Sequence, residues 1–411
     1  MTDKLFRYIS LMCGMRMMHP AGLACMLTLV LAGCSGGAPA SDEPDEPEAP
    51  AAACIMQLHL DLGSAAAPAS RANSTDSDVL ESGSGRENYI DPQDLQVYLF
   101  EATASGADET ASKLICCLTS DLNSSRSQIQ LEPVDDKRTV YRLSFDVKDV
   151  LENAETGPQS FKVMVLANWG TYPEVTPGVT TLANILSGSL ADFASPFTLS
   201  DDNDHKIPFY GIRQYDNIRF TRNVPVQPAG DLWLLRALAK IDVCDAADSE
   251  RKIAYVQFHC WNSKYYRAPL QPYDAAGGTQ SVTSPSLPNG TYQGSGWVWP
   301  EYQNGGYYWC AERDSKNHIV FYTVEFKNTG RPTGVNQAHY RSEIVITYDD
   351  GEQFLLEFKY YSDTTSGKKD EYYDLLRNYW YQFVVKRTGK KIDVCIEPYV
   401  IVPNLEPEFG V

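Results

Sequence analysis

Leu31-Ala32-Gly33-Cys34 is the one place in this chain where residue type and spacing spell out a reaction. Two small residues ahead of a cysteine, closing the apolar run 21–32, have the layout of a bacterial lipoprotein signal. The chemistry is diacylation of the Cys34 thiol, cleavage of the bond before it, and acylation of the amine so freed. Lys4, Arg7 and Arg16 supply the cationic upstream part, and the apolar run is too short to span a bilayer. The alternative is an ordinary secretory signal cut elsewhere. Residues 1–33 are thus expected to be a lipoprotein signal peptide, and several acyl chains would hold the remainder at a membrane where one would not.

No other stretch nominates chemistry so directly. There is no HExxH, GxSxG or P-loop, and no GxGxxG in strand–helix context. His59, His205, His259, His318 and His339 are scattered. No catalytic residue, cofactor or metal-ligand spacing is nominated, and the expectation is a chain that is not an enzyme. Asp201-Asp202-Asn203-Asp204 is similar to a calcium loop but lacks the glycine at position six and the glutamate at position twelve, so it reads as a solvated acidic turn. Seven cysteines follow Cys34: Cys54, Cys116, Cys117, Cys244, Cys260, Cys310 and Cys395. The number is odd and no CxxC occurs, which favours buried thiols, with a Cys244–Cys260 bridge across neighbouring strands left open. Trp297 and Trp299, with the rings through Trp309, could stack on a sugar; the other reading is aromatic packing over a sheet face. Arg236, Lys240, Arg377 and Asn378 interrupt apolar segments and read as structural groups at a sheet edge or seam.

The charge balance narrows the partners. Lys and Arg number 35 against 53 Asp and Glu, a net charge of -18. A nucleic-acid partner needs clustered cations, so none is expected. Residues 34–53 are Gly, Ala, Pro, Ser and acid, centred on Asp42-Glu43-Pro44-Asp45-Glu46-Pro47-Glu48. Such a segment cannot bury apolar surface and reads as a solvated acidic tether. Its acidic patch resembles the surface-export signal of Bacteroidota lipoproteins; a plain linker is the other reading.

Beyond the tether, hydropathy alternates at period two. Met56, Leu58, Leu60 and Leu62 point one way, with Gln57, His59 and Asp61 opposite. Further strands are predicted at 95–99, 141–147, 161–166, 232–243, 253–261, 319–326, 343–348, 354–360, 378–386 and 391–399. Only 147–153 and 181–193 have room for short helices. Many short strands between turn-rich connections mean an all-β protein of antiparallel sandwiches rather than βαβ units. The Pro/Gly segment 225–230 is the expected linker, giving domains at 54–228 and 229–411. The loop 63–87 carries Arg71 and Arg86. At the other end, Val400, Ile401 and Val402 prolong the apolar run of 391–402.

These parts together resemble a Bacteroidales fimbrillin of the type V pilus system. They are the lipobox, the amphipathic first strand 54–62, a loop with Arg71-Ala72, and a second strand ending Tyr98-Leu99-Phe100. Val165-Leu166-Ala167-Asn168-Trp169, Pro208-Phe209-Tyr210-Gly211, the segment 235–241, Arg377-Asn378-Tyr379-Trp380-Tyr381 and a terminal strand closing in Pro403 and Pro407 complete them. The resemblance implies two tandem transthyretin-like β-sandwich domains and a protein that polymerises. It implies an outer-membrane lipoprotein precursor displayed at the cell surface. An arginine-specific protease would cut between Arg71 and Ala72, with Arg86 in the same loop the competing position, and the first strand (Met56, Leu58, Leu60, Leu62) would be displaced. A donor strand holding Val400, Ile401 and Val402 from another pilin subunit would then fill the groove. The terminal strand could equally be only the last strand of its own domain. An anchor, a tip adhesin with a host or bacterial glycan or protein ligand, and a surface glycan-binding lipoprotein share the same outward features.

Overall fold

The computed structural model describes residues 55–62, 64–65, 86–119, 129–136, 138–147, 151, 157–199, 205–220, 226–270, 282, 284–288, 309–312, 318–330, 341–361, 369–389 and 391–402. They form β1 (Ile55–Asp61), β2 (Ser64–Ala65), β3 (Leu95–Glu101), β4 (Leu114–Thr119), β5 (Ile129–Pro133), β6 (Val140–Asp146) and β7 (Gln159–Ala167). A short α-helix, α1 (Leu182–Ser187), comes next. After it come β8 (Leu190–Asp192), β9 (Phe209–Ile218), β10 (Val226–Trp233), β11 (Leu235–Arg236), β12 (Ala239–Asp245), β13 (Ile253–His259) and β14 (Lys264–Tyr266). The last are β15 (Trp309–Glu312), β16 (His318–Thr323), β17 (Glu343–Tyr348), β18 (Gln353–Glu357), β19 (Tyr379–Thr388) and β20 (Lys391–Val402). The protein is all-β, as the period-two patterning predicts.

The strands build two pairs of sheets and a two-stranded ribbon, β14-β8. In the first pair the orders are β10-β1-β6-β5 and β11-β9-β7-β3-β4. In the second they are β16-β12-β19-β20-β2 and β15-β13-β17-β18. Alternate residues from facing sheets meet in one buried apolar cluster that contains Leu58, Val163, Phe258 and Phe383. Phe258 of β13 lies 5.2 Å ring to ring from Phe321 of β16, so the second pair is closed by aromatic contact across its two sheets. Strand β7 is buried on both faces. Val163 and Val165 face the main core, while Met164 and Leu166 join a second cluster with Leu182, Ile185 and Leu186 of α1. Thr181 caps that helix, its hydroxyl accepting from the Asn184 N–H while the Asn184 side chain accepts from the Thr181 N–H.

Two expectations need correction. The single strand expected at 232–243 is three pieces, since β10 ends at Trp233 and β12 starts only at Ala239. The chain changes sheet there, and a Cβ on Gly211 would stand 2.6 Å from both the Leu234 side chain and the Trp233 carbonyl, so β9 can pass this corner only with glycine. The segment expected as a Pro/Gly linker is strand β10, which accommodates its Pro and Gly at a bulge beside β1. Cys244 and Cys260, both buried, are thiols and form no disulfide.

Candidate functional site

The seat of β1 is the feature that the sequence singled out and the structure elaborates. Its neighbours are β10, parallel, and β6, antiparallel, so it is an inner strand with both backbone edges engaged. The registers bring like against like: Met56 opposite Phe145, Leu58 opposite Leu143, Leu60 opposite both Tyr141 and Leu232. Met56, Leu58 and Leu60 are each 0% exposed and Leu62 1%. The other face is polar, with Gln57 Nε2 donating to Ser144 Oγ at 3.2 Å and His59 Nδ1 3.5 Å from Asp231. The latter pair is half-exposed and adds little. On the β10 side the register shifts between Gln57 and His59, where Gly230 takes φ +90.

A polar cluster closes the end of this slot. Arg236, 2% exposed on β11, donates through Nη1 to the Leu62 carbonyl at 2.7 Å and through Nη2 to Asn88 Oδ1. Its Nε lies 3.9 Å from Glu87 Oε1, while Lys240 Nζ donates to Glu87 Oε2 at 2.9 Å. The Tyr141 hydroxyl donates to the Asn88 carbonyl and accepts from the Ile90 N–H. One buried guanidinium therefore holds both the residue after β1 and the residues where the described chain resumes at 86. Burial acts to raise the Glu87 carboxyl, but the Lys240 ammonium and the Arg236 guanidinium outweigh it and hold the group below the usual carboxylate range.

The cations of this cluster are visible in the sequence as interruptions of an apolar segment. Glu87 and Asn88 are not, because nothing distinguishes that acid among the 53 in the chain until the fold supplies the contact. Asn378, in the resemblance motif, takes φ +60 and its Oδ1 accepts from the Arg236 N–H at 3.3 Å. Asn168 takes φ +61, and its Nδ2 donates to the carbonyls of Tyr89 and Ile207. Both asparagines are thus turn-and-clamp residues. Arg377, 0% exposed, pairs with Glu325 at 2.6 Å and donates to the Tyr266 and Arg267 carbonyls.

The other expected positions divide in two. Val400, Ile401 and Val402 belong to β20, a continuous strand paired with β19 from Lys391 to Val400; beyond that register Ile401 and Val402 pair with Ala65 and Ser64 of β2. Cys34, Arg71, Ala72, Trp297 and Trp299 lie outside the described residues. Trp309, at the end of the aromatic stretch, packs its ring 4.9 Å from Phe321.

No protein-family model and no curated protein matches the chain. Solved structures do. The tip fimbrial protein Mfa3 of Porphyromonas gingivalis, with a C-terminal truncation, is 13% identical with a TM-score of 0.44, over 84% of this chain and 99% of that one. A candidate cell adhesion protein of Bacteroides uniformis is 9% identical with a TM-score of 0.35, over 83% and 96%. The fimbrial anchor protein Mfa2 of P. gingivalis is 8% identical with a TM-score of 0.28, over 85% and 100%.

Proposed function

We propose that this chain is a structural subunit of a cell-surface fimbria, built from two β-sandwich units and itself without catalytic activity. In this reading it is exported on a lipid at Cys34 to the outer membrane and displayed at the surface. An arginine-specific protease cuts between Arg71 and Ala72. Strand β1 then leaves, and a strand carrying Val400, Ile401 and Val402 of the next subunit takes its slot.

The observation that carries this reading is β1 itself. It is an inner strand with its whole apolar face buried, yet it precedes every other described element and its connection onward runs through the segment holding Arg71. A cut in that segment would leave β1 held by non-covalent contacts alone. Its departure would expose two unpaired backbone edges and an apolar floor, a template that only another strand satisfies. Four buried side chains at about 1.5–3 kcal/mol each represent roughly 6–12 kcal/mol of gross drive for refilling the slot. Ordering the incoming strand offsets part of it.

Intact mass and N-terminal sequencing of protein sheared from the cell surface test the proposal. An N-terminus at Ala72 within detergent-resistant multimers is expected. Full-length monomer still lipidated at Cys34 would overturn the polymerising role. Lipidated full-length protein at the base of a fimbria would make it the anchor, and specific glycan retention by the monomer would make it a surface glycan-binding lipoprotein.

A further inference from the structure

A second polar cluster lies on the sheet β16-β12-β19, next along the same face of β12 from Lys240. Asp242 and Cys244 are two residues apart on β12 and so point to the same face. Cys244 stands directly opposite His318 on antiparallel β16, and Asp242 directly opposite Gln382 on parallel β19. The register of three neighbouring strands therefore converges a thiol, an imidazole, a carboxylate and an amide. His318 Nδ1 is 2.8 Å from Asp242 Oδ1, and the ligand atoms of Asp242, Cys244 and His318 all lie within 4.8 Å of one another.

We propose that Asp242, Cys244 and His318 form a Zn²⁺ site. Sulfur, nitrogen and oxygen donors at this spacing are the mixed set that zinc takes in tetrahedral geometry, with metal–ligand bonds of about 2.0–2.3 Å. Adjacent ligand atoms around such an ion sit roughly 3.2–3.8 Å apart, so small rotamer changes bring the three donors onto it. The electrostatics favour a cation. The Asp242 side chain is 2% exposed, and its ion-pair partner is an imidazole, charged only when protonated. Lys240, on the same strand face, is engaged by Glu87. A buried carboxylate gains from a full positive charge beside it.

Gln382 is the independent sign. It is 1% exposed, its Nε2 lies 3.4 Å from Asp242 Oδ2, and its buried Oε1 has no hydrogen-bond partner. A half-turn of the amide exchanges the two atoms and sets Oε1 beside the carboxylate, an arrangement that a cation between them makes favourable. Gln382 would then supply the fourth ligand. On binding, the Cys244 thiol gives its proton to solvent and the sulfur coordinates as thiolate, with no change of oxidation state.

The test is a titration of chelator-stripped purified protein with Zn²⁺ against a chromophoric chelator, repeated with Co²⁺ for its spectrum. One metal per chain is expected, with a thiolate-to-Co²⁺ charge-transfer band in the near ultraviolet. Cys244→Ser should abolish the band and weaken Zn²⁺ binding at least about tenfold, and His318→Gln should weaken it comparably. Should Cys244→Ser fail to fold, His318→Gln carries the test, because that side chain is a quarter exposed. No stoichiometric uptake, a Co²⁺ complex without the band, or affinity unchanged in the folded variants would each overturn the proposal.

Discussion

Glu87 sits between two buried cations. Glu87→Gln removes the carboxylate that pairs with Lys240 and Arg236 at 8% and 2% exposure, leaving Asp61 as the remaining negative charge acting on Arg236, and should cost about 3–5 kcal/mol in urea unfolding. Replacing Glu87 and Lys240 together with apolar residues of similar size should cost less, since the expense lies in the unpaired charge. The pH dependence follows from the sign of the shift. The folded carboxyl is held below its ordinary value of 4.5, so its contribution is complete above that pH and fades as pH falls through the lower folded value. The unfolding midpoint of the wild type should therefore drop below pH ~4.5 more steeply than that of Glu87→Gln, as acid titrations followed by circular dichroism will read. At this scale the sequence shows cations without their partners. It likewise shows Asp242, Cys244 and His318 without their meeting, because ligands spread over two strands leave no spacing signal.

Strand β1 makes the case at the scale of elements. Leu58→Ala should destabilise the uncut chain by about 2–5 kcal/mol, the range for emptying a fully buried leucine site. Urea denaturation of the uncut wild type and variant side by side checks this, and a loss below about 1 kcal/mol would show that Leu58 is not where the slot's energy lies. Elements with regular alternation, such as β1, β3, β6, β13 and β17, are legible from period-two hydropathy. Strand β10 is not, because Pro228, Ala229 and Gly230 look like a linker until a parallel neighbour and a bulge give them a place. The pieces β8 and β14 are three residues each, too short to show a period, and exist because they pair with one another.

The two pairs of sheets are stitched together at several points. β8 pairs with β14, Phe197 exchanges backbone hydrogen bonds with Tyr322, and the main apolar cluster runs through both pairs. Scanning calorimetry should accordingly record one transition whose calorimetric and van't Hoff enthalpies agree; two resolved peaks would show that the halves melt independently. The stitching extends to β2, a mere two residues that lie on the same peptide as β1 yet pair with Ile401 and Val402 at the far end of β20. Whatever draws that peptide out of its slot also strips the tail of its backbone partner. One short ribbon thus fastens two distant places at once: it fills the β1 slot in the first pair of sheets and latches the last two residues of β20 in the second, so neither contact is lost alone when that peptide leaves.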